Sequence, residues 1–197
     1  MAEDKMEYTW TVRPCKEQDL EAARGICEET STITLSNEKD RQFLLLTFCD
    51  AYVRYAPDSF VAADAADRPV GYVFCAADTR RFFRLFRKNV LPEIAKLGVR
   101  YGLWGYGVCI SQSLCALIAP AHLHIDLTAS ARRKGIGTQL IRTLKAHLAQ
   151  KGISRIVLTV SRKNVSAIRF YEKNGFRTIL KPFGVCVMRA DTEMKNE

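Results

Sequence analysis

The chain has 197 residues, 48% of them hydrophobic and 26% charged, with a formal net charge of +9. Such a chain suits one soluble domain, residues 1–197, that buries its core without disulfide or metal staples. Its basic balance points to an anionic partner: nucleic acid, an acidic membrane surface or a phosphorylated cofactor.

Seven cysteines are scattered with no CxxC pair. That pattern lacks the usual zinc spacings, so no metal site is expected, and it indicates reduced thiols in a cytoplasmic protein. MAEDKMEYTW has no apolar core of a secretion signal, and no apolar run approaches the ~20 residues of a membrane span.

Tyr8 to Pro14 reads as an opening strand and Asp19 to Cys27 as a helix with Leu20, Ala23 and Cys27 on one side. A second helix is predicted from Glu38 to Tyr55, capped by Ser36 or Asn37 and closed before Pro57. SFVAAD and PVGYVFCAAD, on either side of ADR, predict a β-hairpin. Residues 79–118 then form an unusual passage. Its first part has helical spacing, with Phe82, Phe83, Leu85 and Phe86 set among Arg80, Arg81, Arg84, Arg87 and Lys88; its second part is rich in glycine and aromatics. The basic run is a solvated helix face or the rim of a groove over the active site.

His122 to Leu127 alternates like a strand. Gly135 to Gln150 is a helix with Ile136, Leu140, Ile141, Leu144 and Leu148 on one face. Ser154 to Val160 is a nearly continuous apolar strand, as expected for one covered on both faces. Asn164 to Asn174 is a helix closed by Gly175, and FRTILKP with FGVCVMRA makes a final hairpin.

Two segments carry chemistry. ARRKGIGT, between a strand and a helix, offers unpaired amides and the positive end of the helix dipole to a phosphate. Gly135 and Gly137 keep side chains away from that backbone, and Arg132, Arg133 and Lys134 add charge. A P-loop is excluded because GxxxxGK[ST] is absent, and GxGxxG fails because Leu140 stands where its third glycine belongs. In NVSAIRFYEKNGF, Asn164, Ile168 and Tyr171 share a helix face, which aims a phenol near whatever the phosphate loop holds.

Taken together, RRKGIGTQLI, the strand after it and NVSAIRFYEKNGF resemble the acetyl-coenzyme A binding core of the GNAT N-acetyltransferase superfamily, over roughly Leu123 to Phe176. GYVFCAADT, the insertion with VLPEIAKLG, and AHLHIDL further resemble the acetyltransferase-like domain found with O-GlcNAc hydrolases and its free-standing bacterial relatives. The resemblance implies an α/β (α+β) fold. Its central sheet is mixed, mostly antiparallel and twisted, has six to seven strands flanked by helices, and is splayed between the fourth and fifth.

It also implies roles. The backbone of Leu127, followed by Thr128 and Ala129, lies along the cofactor, with Leu127 bonding the thioester carbonyl. Amides and side chains from Arg132 through Arg133, Lys134, Gly135, Ile136, Gly137 and Thr138 hold the pyrophosphate. Asn164 contacts the pantetheine arm, and Tyr171 protonates the leaving thiolate. The acetyl group passes directly to a primary amine in a ternary complex, without an acyl-enzyme.

One departure concerns the base. Where the family often has a glutamate, this chain has Ala121, which leaves His122, His124 and Asp126 as candidates; Asp126 and His124 rank first. Asp126 can also orient a histidine or a substrate ammonium. The alternative is that this face packs against a helix with its histidines satisfied by hydrogen bonds.

The acceptor is a small-molecule or protein amine, with no nucleic acid and no membrane expected as partner. A non-catalytic acetyl-coenzyme A binding or regulatory module of the same fold is the alternative function. A homodimer is left open, with the final hairpin and the inserted aromatics as candidate surfaces.

Overall fold

The computed structural model describes residues 10–182 and 184–193. Among them, a seven-stranded sheet takes the order β1-β2-β3-β4-β5-β7-β6. Its strands are β1 (Thr11–Pro14), β2 (Phe60–Ala63), β3 (Pro69–Ala76), β4 (Ala121–Leu127), β5 (Arg155–Ser161), β6 (Arg177–Leu180) and β7 (Val185–Asp191). Every neighbouring pair is antiparallel except β4 and β5, which run parallel. Tyr8 and Thr9 of the expected first strand, and Phe183 of the final hairpin, lie outside the described residues.

The helices are α1 (Leu20–Thr30), α2 (Glu38–Leu45), α3 (Ala51–Tyr55), α4 (Thr79–Leu85), α5 (Leu91–Lys96), α6 (Val99–Ser113), α7 (Ile136–Gln150) and α8 (Val165–Lys173). Strand alternation divides the core. Tyr72 and Phe74 of β3 face α1 to α6 and pack with Phe43, Tyr52, Phe82 and Ile94. Val73 and Cys75 face the other way and pack with Leu140, Leu144 and Tyr171 of α7 and α8.

The helix expected from Glu38 to Tyr55 forms, capped by Asn37, whose Oδ1 accepts the Asp40 amide at 3.0 Å. It is interrupted by a wider π turn at Leu46–Asp50. Arg24 of α1 clamps that turn by donating to both carboxylate oxygens of Asp50, at 2.8 and 2.7 Å. The insertion is more helical than its sequence suggests. A second π turn, Phe86–Val90, links α4 to α5, and the glycine-rich passage folds as α6 followed by a 3-10 turn at Leu114–Leu117. Gly105 is what allows it: a Cβ there would come within 3.1 Å of Ile94 and 3.2 Å of Leu91, so its absence lets α6 lie close on α5.

Candidate active site

The parallel pairing of β4 with β5 stops almost as soon as it starts. Only Ala121 with Ile156 and His122 with Val157 are in register; beyond them the strands part. The Thr128 amide donates to Val70 at 3.0 Å, so the alternation of an antiparallel ladder sends the amides of Ile125 and Leu127 away from β3, into the gap. By the same rule the Arg162 amide, bonded to Gly184, fixes Thr159 and Ser161 as the residues of β5 that face it. The gap is thus edged with main-chain groups that the sheet leaves unpaired.

A cavity of about 240 Å³ opens there, lined by Cys27, Thr30 to Ile33, Leu44, Phe48, Leu123 to Asp126, Thr159 to Ser161, Asn164 and Tyr171. Asp126 and His124 reach it from the α1–α2 face of the sheet, while Tyr171 belongs to the core on the α7–α8 face. They meet only because the sheet is open between them.

Asp126 sits directly across from Tyr72, whose hydroxyl donates to its Oδ2 at 2.8 Å. Burial is the main influence on its carboxyl and pushes it up to about 6; the hydrogen bond from Tyr72, the neighbouring Thr30 hydroxyl and the charge of Arg132 hold it below where burial alone would put it. The Tyr171 phenol is held well above its ordinary value, first by burial and then by the negative charge of Asp126, so it stays protonated at neutral pH.

The two histidines of β4 separate. His122 is 1% exposed; its Nε2 lies 2.7 Å from the Tyr52 hydroxyl and its Nδ1 3.2 Å from Thr79 Oγ1. Burial drives its imidazole down to about 3, so it is a neutral tie between β4, α3 and α4, as the hydrogen-bonded alternative anticipated. His124 forms no hydrogen bond among the described residues. It lies edge-on to Tyr52 and Phe48, with centroids 5.0 and 5.7 Å apart, and burial lowers it to about 4. Cys27 also lines the cavity, but burial pushes its thiol up to about 12, and at neutral pH it offers no thiolate.

Behind the gap, Gly135 initiates α7 with φ of +81°, a left-handed conformation that suits glycine, and no atom lies within 4 Å of where its Cβ would project. No side chain caps this terminus, and the first amide bonded back to Gly135 is that of Gln139, at 3.1 Å. An open turn of amides beside the exposed Arg132 and Arg133 fits a pyrophosphate. Arg133 itself has φ of +61°, and Lys134 is partly buried beside Trp10 and Asp64.

Other expected cofactor contacts take different places. A Cβ at Gly137 would lie 3.0 Å from the Phe170 ring and 3.3 Å from Leu127, so the missing side chain also serves the contact of α7 with α8. The Thr128 amide is taken by Val70 and that of Ala129 by Glu29 at 2.7 Å, which leaves neither amide for a ligand. The Leu127 carbonyl accepts Arg132 Nε at 3.1 Å, whereas its amide faces the gap. Ile136 is buried, and the side chain of Thr138 is partly so. Asn164 is not inside α8 but caps it, its Oδ1 accepting the Ala167 amide at 3.1 Å. Its side chain therefore starts the helix that carries Tyr171, and it still reaches the cavity.

Tyr72, Thr30 and Phe48 were not singled out from the sequence. The signal for Tyr72 was available: once β3 and β4 are paired, GYVFC places it opposite the acid of HLHID. Thr30 and Phe48 depend on how α1 and the π turn pack, which no local pattern reveals.

The family model described as the acetyltransferase (GNAT) family matches residues 23–176. An uncharacterized N-acetyltransferase of Bacillus subtilis (strain 168), YobR, is 29% identical over 100 residues, 51% of this chain and 34% of its own; the match covers about a third of that relative. The crystal structure of SsHAT is 28% identical, with a TM-score of 0.85 over 94% of this chain and 100% of that one. PaiA N-acetyltransferase from Thermoplasma acidophilum, in complex with coenzyme A, is 18% identical, with a TM-score of 0.61 over 93% and 99%. At that identity the likeness is one of fold. With a family match across most of its length, and a sheet parted between β4 and β5, the chain belongs to the acetyltransferase (GNAT) family.

Proposed function

We propose that the chain is an N-acetyltransferase that moves acetyl from acetyl-coenzyme A directly to a primary amine in a ternary complex. The observation that carries this reading is the meeting of Asp126 and Tyr171 on one cavity where the sheet is open. When bound, acetyl-coenzyme A supplies the acetyl group as an activated thioester. The amides at the start of α7, with Arg132 and Arg133, would hold its pyrophosphate. The edges of β4 and β5 would hold its arm, the amides of Ile125 and Leu127 supplying donors for a carbonyl oxygen.

The protein's own groups manage two protons. Asp126, titrating near 6, is a carboxylate at neutral pH and takes a proton from the acceptor ammonium. His124 is neutral and half-buried beside it, placed to orient the amine or pass its proton on. Tyr171 keeps its proton until sulfur departs, then donates it from Oη. The protonated thiol of Cys27 supports direct transfer over an acyl-enzyme. On the acceptor side, Thr30, Ser31 and Thr32 offer hydroxyls, while Ile33, Leu44 and Phe48 offer apolar walls. That lining suits the uncharged stem and single ammonium of a small amine or of a protein amine.

Titration calorimetry with acetyl-coenzyme A, with free coenzyme A and ATP as controls, tests the cofactor. Thiol release on addition of amines then tests the chemistry. Selective saturable binding and amine-dependent thiol release are expected. Binding with no thiol release from any amine would identify a module that holds acetyl-coenzyme A without reacting it. Binding no better than that of ATP would overturn the cofactor assignment.

A further inference from the structure

The twenty residues from Tyr101 to Pro120 contain no acidic or basic side chain, yet they form a surface helix and the turn after it. Val99, Leu103, Tyr106 and Ile110 of α6, then Leu114 and Leu117 of the 3-10 turn, recur at steps of three and four. All are exposed, from 47% at Ile110 to 81% at Val99. Such spacing makes a single row along the helix, ~27 Å long at 1.5 Å per residue. The opposite side of α6 is committed to the body. Tyr101, Gly105 and Cys109 are buried, and Trp104 at the flank stacks on Phe43 with centroids 4.3 Å apart. The row is therefore held outward by packing and cannot turn in.

With Trp104, these side chains present on the order of 800 Å² of exposed surface, beyond the ~300–600 Å² of the largest patch on a typical monomer. That is about what one partner contributes to a dimer interface of standard size. Tyr, Trp, Leu and Ile without charge is also the composition of an interface core. A helix that lies on a membrane carries Lys and Arg along its polar face. From Val99 to Pro120 the single charge is Arg100, and its guanidinium is tied to Asp40 at 3.1 Å.

We propose that this row is the interface of a homodimer, in which a second copy presents the same row across a two-fold axis and α6 packs on α6. Gly107 and Ser111 are exposed on the same helix, and a Cβ at Gly107 would have no neighbour within 4 Å, so nothing bulky stands between approaching backbones there. The final hairpin is the weaker surface, since β6 offers only Ile179 and Leu180 as exposed large hydrophobic residues. Pairing through α6 also bears on the cavity. Trp104 props α2, which supplies Leu44, and Gln112 Nε2 donates to Oγ1 of the lining residue Thr159 at 3.0 Å.

Sedimentation velocity of the full chain at about 50 µM, above the micromolar end for interfaces of this size, is the test. The expected species has the mass of two chains. Leu103→Glu combined with Leu117→Glu should weaken association by about 100-fold or more and leave a single folded chain with an unchanged circular dichroism spectrum. Tyr106→Arg, at an exposed site, should act the same way and provides an independent reading. A wild-type protein that sediments as one chain would overturn the proposal, and its pelleting with anionic phospholipid vesicles would assign the row to a membrane surface instead. A dimer that survives the α6 variants, or is lost with Ile179→Glu and Leu180→Glu instead, would also overturn it.

Discussion

The Tyr72 hydroxyl donates to Oδ2 of Asp126 at 2.8 Å, from the position directly across the β3–β4 ladder. That bond opposes the effect of burial on the carboxyl, which still sits near 6. Tyr72→Phe keeps the ring stacked on Phe74, 3.9 Å away, and removes only the donor. The acidic limb of kcat/KM should then move from about pH 6 to higher pH, by on the order of one unit, with the rate at pH 8 largely kept. A pH profile of thiol release, with an acceptor whose own protonation is constant over the window, checks it. A limb that stays in place would show that Asp126 is not the base.

Asp126→Asn should lower turnover by roughly 10²–10⁴-fold and remove that limb. Its effect on stability runs the other way. The folded carboxyl titrates near 6 against an ordinary value of 3.8, so ionising it above pH 6 works against the fold, and below about 4 that cost is absent. The variant should therefore be more stable than wild type at pH 7, by on the order of 1–2 kcal/mol. The advantage should shrink as pH falls from 6 towards 4. Urea unfolding at pH 7 and pH 4.5 measures both.

Tyr171→Phe should reduce kcat by about 10²-fold or more while leaving coenzyme A affinity within a few-fold. The ring keeps its edge contact with Phe176 at 5.7 Å, so the fold should hold. Equal losses in turnover and affinity would mean that the phenol positions the cofactor rather than supplying a proton.

Gly135→Glu should abolish measurable acetyl-coenzyme A binding through repulsion at the α7 terminus. It should also lower stability by about 1–2 kcal/mol because of the left-handed backbone. Gly135→Ala shares the backbone cost without the charge. Calorimetry of the two separates them: affinity should fall far more for Glu than for Ala.

What the sequence disclosed was whatever has a local period. The alternation of β4, the apolar stripe of α7 and the glycine stop of α8 at Gly175 (φ +82°) each follow from spacing, and the structure has all three. The opening of the sheet came through the family resemblance rather than from any pattern in β4 or β5. Other features depend on partners distant in the chain. A Cβ at Gly137 would meet Phe170, a packing constraint set 33 positions away that the spacing of the glycines does not reveal. The difference between His122 and His124 is set by Tyr52 and Thr79, which only the packing of α3 and α4 brings to one of them. The π turns left no trace because their residues continue a helical pattern, and the glycines of α6 conceal a helix stabilised by its bed on α5.

The parting of β4 from β5 has a consequence for how such a protein can change over time. The donors at Ile125 and Leu127 belong to the main chain, so every residue but proline preserves them. Mutation cannot easily erase that half of the site. The other half is built from side chains of α1, α2 and the turn after it, and each substitution there reshapes the lining. One wall is indifferent to sequence and the other is rewritten by it, which lets a lineage exchange acceptors while its grip on one donor stays constant.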